Sequence, residues 1–257
     1  MLKVIRMAAL GIGALVVVLA LGFIFQMPFV TAIWPWPDGR LSYIFVGSIL
    51  AAASASMLWI GWSGELGAMT GGLSNLLVMG ASASIYFFRL AVQEERTNLI
   101  PYLAITLLMA LVSAAILAWS RTLGLRDPRP TPRLARISFV IFLLVLVSAA
   151  TALIFRLPIF PWALNPDSSV IFGCIFLGNA TYFLYGLLYP RWHNAIGQLL
   201  SFLAYDLVLI GPFLGLFASI KPEFLPSLVV YVAALVYSGA LAVYYLFFDR
   251  DTRLKRA

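Results

Sequence analysis

Eight apolar runs, each long enough to cross a bilayer, leave this chain few folds to choose from. They fall at roughly 7–26, 41–62, 68–90, 99–121, 137–155, 168–188, 194–218 and 224–248. A helix needs about 17–25 residues to span the hydrocarbon. Apolar residues are continuous within each run and do not alternate, so the spans read as helices and not as barrel strands. The expected fold is an all-α integral membrane protein with eight transmembrane helices. Composition agrees: 11% of residues are charged, against about a quarter in a soluble domain. Lys3 and Arg6 before the first run would also suit a signal peptide, but the run is long and "VTAIW" is a poor cleavage site. A retained helix is expected.

Orientation follows from the 17 Lys and Arg. With the N-terminus inside, the inner loops hold Lys3, Arg6, Arg121, Arg126, Arg129, Arg133, Arg136, Arg191, Arg250, Arg253, Lys255 and Arg256. The outer loops hold only Arg40, Arg89, Arg96, Arg156 and Lys221. That bias places both termini in the cytoplasm of a cell inner membrane. The net charge of +7 then reflects topology. The expected partners are the lipid bilayer, with anionic lipid at the basic linker and tail, and a membrane protein; nucleic acid is not expected.

The stretch "WPWPDGRLSYIFVGS" (34–48) is echoed by "WALNPDSSVIFGCIFLGN" (162–179). Laying the second half on the first pairs Pro28 with Pro158 and Pro37-Asp38 with Pro166-Asp167. It pairs "YIFVGS" (43–48) with "CIFLGN" (174–179) and "NLLVMG" (75–80) with "DLVLIG" (206–211). It also pairs Trp62 with Trp192, Gly67 with Gly197, Pro101 with Pro226 and Ser113 with Ser238. The chain is therefore expected to hold two tandem four-helix repeats, 1–121 and 137–257, around a basic, Pro-rich, exposed linker at 122–136. Four is even, so the repeats share one orientation and an axis along the membrane normal. In the echoed phrase Trp34, Trp36 and Trp162 suit the headgroup zone, and Asp38 and Asp167 are interfacial caps for the following helices.

The Trp-Pro-Trp-Pro phrase after the first helix resembles a motif in uncharacterised bacterial multi-pass membrane proteins of about this length. There the phrase runs into a Thr- or Ser-rich helix start; Asp38 here is a departure that fits a cap. The resemblance implies a helix count and no activity.

Polar residues deep in a span carry the functional expectation. Asp206 falls near the midplane at 1.5 Å per residue, as does Asn179. The repeat assigns Asn75 to the place of Asp206 and Ser48 to that of Asn179. Ser48, Asn75, Asn179 and Asp206 are thus expected to form one polar layer, with Asp206 uncharged and bonded to Asn179, Tyr182 or Tyr205. His193 reads as a solvated loop residue and Glu65 as its counterpart in the first half. One His and one Cys exclude a multi-Cys metal site and a di-histidine haem or zinc site from this chain alone. No catalytic residue or metal ligand is expected, and the cofactor question stays open. The sequence favours small-solute transport or ligand binding at the midplane between the repeats. A non-catalytic accessory or scaffold subunit is the alternative, and an enzyme is the weakest reading.

Overall fold

The computed structural model describes residues 2–124 and 127–254. Arg126, Lys255 and Arg256, counted above among the inner charges, lie outside the described residues. The described chain is helical: α1 (Leu2–Ile24), the single turn α2 (Pro28–Thr31), α3 (Arg40–Ser63), α4 (Met69–Phe88), α5 (Ile100–Ser120), α6 (Arg133–Ile154), α7 (Pro166–Leu188), α8 (Trp192–Leu216) and α9 (Leu225–Val243). All but α2 lie in segments long and apolar enough to cross a membrane. An isolated bridge joins Pro130 to Arg191.

Helix ends run past the apolar runs where a charged side chain has work at the boundary. α1 begins at Leu2, about a turn before its apolar run. Its Arg6 reaches the last carbonyls of α3, Gly61 O at 3.1 Å and Trp62 O at 2.5 Å, which have no partner within their own helix. α3 itself stops at Gly64, whose φ of 71° lets its N–H turn back to Ile60 O. α1 and α6 end alike. Gln26 (φ 53°) and Arg156 (φ 60°) are left-handed. The next N–H then folds back five residues, Met27 to Gly22 O at 2.8 Å and Leu157 to Ala152 O at 2.9 Å. Pro28 and Pro158 follow each turn and prevent the helix from resuming.

α7 is central: 67% of its span is buried, against 17% for α5. α1 packs along α3, α6 along α7, α4 along α5 and α8 along α9. Between the halves, α3 lies against α8 and α4 against α7. Within a half, α3 scarcely meets α4 and α7 scarcely meets α8. Each half is therefore a pair of helical hairpins completed by the hairpins of the other. Lipid gives no hydrophobic drive for such contacts, so close approach at small residues has to supply it. At Gly47 an added methyl would meet Ile24 Cγ1 at 2.6 Å and Ala20 O at 2.9 Å; at Gly173 it would meet Ile154 Cγ1 at 2.7 Å and Ala150 O at 3.0 Å.

One end of the bundle, the terminal face, carries the start of α1, the α3–α4 and α7–α8 turns, the linker and the tail. The other, the far face, carries the remaining turns. The linker is not simply exposed, as its Arg and Pro content led us to expect. Thr131 N–H donates to Pro190 O at 3.0 Å and Trp192 N–H to Arg129 O at 2.7 Å, while the indole of Trp192 donates to Thr252 O at 3.0 Å. Trp192 is fully buried, and a buried indole N–H needs an acceptor; linker and tail are folded over it.

Candidate functional site

The four expected layer residues do not assemble into one layer. Asn75 and Asn179 do meet: the Asn75 amide donates to Asn179 Oδ1 at 2.8 Å, joining α4 to α7 across the seam between the halves. Ser48 is buried but donates to Phe45 O of its own helix at 2.7 Å. Asp206 is bonded to neither Asn179 nor a Tyr. Ser238 of α9 donates to it, with Oγ 3.0 Å and 2.9 Å from its two carboxylate oxygens. Gly239 beside Ser238 keeps that approach open, since a methyl there would lie 3.3 Å from the carboxylate. Asp206 thus faces the α8–α9 hairpin and not the seam. Asn179 has its bond from Asn75, and sequence spacing could not show which of two faces of α8 carries the carboxyl.

Tyr182, expected only as one of the possible partners of Asp206, lies in the seam instead, one turn nearer the terminal face than Asn179. Its ring lies over Gly71 of α4, where a methyl would meet Cε2 at 2.7 Å, and its hydroxyl lies over Gly197 of α8, where a methyl would meet it at 2.6 Å. Ser56 of α3 borders the same point, its Cβ 3.8 Å from that methyl position. One side chain therefore lies among all the other core helices. The signal available in the sequence was the pair of glycines. Toward the far face the seam is filled by Phe45, packed edge-on at 5.0 Å against both Phe160 and Phe172, and by Trp162, Tyr205 and Phe213 around them. Toward the terminal face, within the second half, Phe202 packs on Phe142 at 4.5 Å and on Phe183 at 5.1 Å. Two amide oxygens near Tyr182, Asn75 Oδ1 and Gln198 Oε1, are buried without a hydrogen-bond partner among the described residues.

The two interfacial Asp residues behave differently. Asp38 accepts from Gly39 N–H at 2.8 Å and Ser42 Oγ at 2.7 Å at the start of α3. Asp167 is not a cap. Asn165 takes that role, accepting from Asp167 N–H at 2.9 Å. The Asp167 carboxylate instead takes Arg96 at 2.8 Å, Arg156 at 3.4 Å and the Tyr86 hydroxyl at 2.7 Å. This ties α7 to α4, to the loop after α4 and to the end of α6. The Tyr86 hydroxyl also accepts from Arg156, and that bond raises the guanidinium's pKa and holds it charged. The Trp residues of the echoed phrase face inward and do not present themselves to headgroups. Trp34 Nε1 donates to Ser168 Oγ at 3.0 Å and Trp162 Nε1 to Ser42 Oγ at 2.9 Å, so each half's Trp grips the other half's helix start. Trp36 is buried and stacks on Phe87 at 5.8 Å. A cavity of about 360 Å³ opens beside this cluster, lined by Arg156, Phe160, Trp162, Ser169 and Phe224 among others; no residue of the expected layer borders it.

At the terminal face His193 is buried, not solvated: its Nδ1 lies 3.2 Å from Asp127 O under the folded-back linker. Glu65 is buried as well. The Arg129 guanidinium, bonded to Asp127 at 2.6 Å, holds that carboxyl below the usual carboxylate range. Among the described residues no group of three His, Cys, Asp or Glu could hold a metal ion. Comparison with family models, with curated proteins and with solved structures finds no match.

Proposed function

We propose that this chain is a non-catalytic scaffold or accessory subunit of a larger assembly in the cell inner membrane, with both termini in the cytoplasm. The observation that supports it is the filled seam: Tyr182 at its waist, an Asn75–Asn179 bond above it and, toward the far face, the packed rings around Phe45. A protein that carries solute between its halves needs room there, whereas a scaffold needs a fixed shape. In this reading the halves are tandem repeats of one four-helix unit in parallel orientation. Support comes from the matched turns at Gln26 and Arg156, the reciprocal Trp–Ser bonds and the alternating contacts of the core helices.

The register of the repeat differs from the one read in the sequence. Surroundings pair Gly47 with Gly173 and Gly71 with Gly197, an offset of 126 residues where 131 was expected for Gly47. Trp62 is 75% exposed while Trp192 is fully buried, so those two are not equivalents. The sequence misleads because Ile-Phe precedes a glycine twice in α7, at Gly173 and at Gly178. At the corrected offset Asn75 falls on Ser201, whose hydroxyl donates to Ala52 O across α3 and α8 at 2.9 Å.

The second reading, small-solute transport or ligand binding at the seam, draws on the unpartnered oxygens of Asn75 and Gln198. Buried polar atoms of this kind are costly and are where a ligand would bond. Thiol accessibility separates the two. With the one native cysteine removed by Cys174→Ala, Asn75→Cys, Asn179→Cys and Ser201→Cys are exposed to a membrane-impermeant maleimide from each side in turn. The scaffold reading expects no reaction at any of the three while exposed Glu95→Cys reacts fully. Labelling of any seam cysteine from either side overturns it in favour of a solute path.

A further inference from the structure

We propose that the terminal face holds a binding site for one anionic phospholipid, at the start of α6; this goes beyond the scaffold reading and does not depend on it. A groove of about 480 Å³ is lined by Thr131, Arg133, Arg136, Ile137, Val140 and Leu187. Its two ends differ in chemistry. One presents two guanidinium groups and a hydroxyl, the other three aliphatic side chains from α6 and α7.

Three observations at the polar end point to a phosphate. Thr131 is 5% exposed and lines the groove, yet its hydroxyl has no hydrogen-bond partner among the described residues. A hydroxyl buried in that way is waiting for an acceptor or donor that the chain does not supply. Neither Arg133 nor Arg136 is in an ion pair among the described residues. The site also sits at the N-terminus of α6, where Pro132 offers no side-chain cap. Arg136 N–H takes the Pro132 carbonyl, so the amides of Arg133 and Leu134 find no acceptor within the helix and favour negative charge. Thr131 is held in place through its backbone bond to Pro190, which keeps its main chain at the edge of the groove.

The apolar end makes a lipid the source of that phosphate. Ile137 and Val140 continue down α6 into exposed Ile141 and Leu144, and Leu187 continues down α7 toward exposed Leu184, a track for an acyl chain leaving a headgroup at the interface. A free phosphate would use only the polar end.

The test uses the full chain in mild detergent and native mass spectrometry. Dioleoyl phosphatidylglycerol, dioleoyl phosphatidylcholine and inorganic phosphate are the probes. The wild-type chain should retain one phosphatidylglycerol and not phosphatidylcholine. R133Q/R136Q should lower retention about thirtyfold, two interfacial cations' worth. Thr131→Val should lower it about fivefold, one hydrogen bond's worth, without altering thermal stability, because the hydroxyl makes no internal bond. Leu187→Trp, which fills the apolar end and keeps the charges, should also displace the lipid and stands in if the double variant fails to fold. Arg250→Gln/Arg253→Gln, on the same face but outside the groove, should change nothing. The proposal is overturned by equal retention of the two lipids, by an equal loss with the tail pair, or by wild-type retention in Thr131→Val and Leu187→Trp. Displacement of phosphatidylglycerol by millimolar inorganic phosphate would likewise overturn the lipid and leave a phosphate site.

Discussion

Asp167 and Asp206 are both carboxylates within apolar helices, and their neighbours give them different weights. Asp167 holds two arginines and a tyrosine from separate elements. Asp167→Asn removes the charge and leaves Arg96 and Arg156 without their counter-ion in a partly shielded site. A loss of about 1–2 kcal/mol is expected, discounted for the exposure of both arginines, read as a lower unfolding midpoint in detergent. Asp206 has a single partner, the hydroxyl of Ser238. Asn can accept the same bond, so Asp206→Asn should shift the midpoint little, within about 0.5 kcal/mol. A large effect at Asp206 and none at Asp167 would reverse the ranking. The sequence made both residues conspicuous, because a charge in an apolar run stands out. It could not assign partners: Arg96 and Arg156 look like ordinary loop cations until the α4 and α6 turns bring them to the start of α7. Tyr182 reads in the sequence only as a possible partner of Asp206, and its place in the seam is hidden for the opposite reason. A tyrosine in an apolar run looks like filler, and its place is defined by glycines on two other helices.

At the scale of elements, the helices were legible and their register was not. Length and apolarity fix the existence of a span, and each expected span corresponds to a helix here. Which face packs where depends on small residues that recur too often to index. Gly47 and Gly173 test the packing directly. Gly47→Ala and Gly173→Ala each push a methyl into an isoleucine and a carbonyl of the neighbouring helix. Each should cost about 1–3 kcal/mol as overpacking, whereas Gly72→Ala, with open space around it, should be neutral or slightly stabilising. Equal midpoints for all three variants would remove close packing as the force joining α1 to α3 and α6 to α7. The linker gives a pH test. The Asp127 carboxyl is held below its ordinary value by its hydrogen bond from Arg129. A lowered folded-state pKa means a contribution present above the unfolded value, about 3.9, and lost as pH falls through the folded one. Protection factors of the Thr131 and Trp192 amides, the intrinsic exchange rate at each pH divided by the observed one, should therefore be high and flat at neutral pH and fall below about pH 4. Asp127→Asn should show the lower protection at neutral pH, with the difference closing at low pH. Exchange unchanged by that substitution would mean that the ion pair does not hold the linker down.

For the whole molecule, the decisive relation is between charge and architecture. The bundle has two unlike ends. The terminal face gathers Arg6, Arg129, Arg133, Arg136 and Arg191, of which Arg6, Arg129 and Arg191 are committed to internal bonds. The far face has fewer cations; Arg96 and Arg156 there share the single negative charge of Asp167, and Arg89 is paired with Glu94. Internal pairing thus widens the asymmetry in free positive charge beyond the simple count of Lys and Arg. Free loop cations resist translocation, which is the physical basis of the positive-inside bias. The terminal face is therefore expected in the cytoplasm. Reporter fusions after residues 128 and 254 should read cytoplasmic and a fusion after residue 96 external. Neutralising Arg133 and Arg136 together removes two cations that are in no ion pair among the described residues, so it should blur the assignment, with a fraction of fusions at 128 reading external. Removing Arg89, whose charge is met by Glu94, should leave all three readings unchanged. If the two substitutions acted alike, total charge and not free charge would set the topology, and inverted readings at 96 and 128 in the unaltered chain would place the terminal face outside.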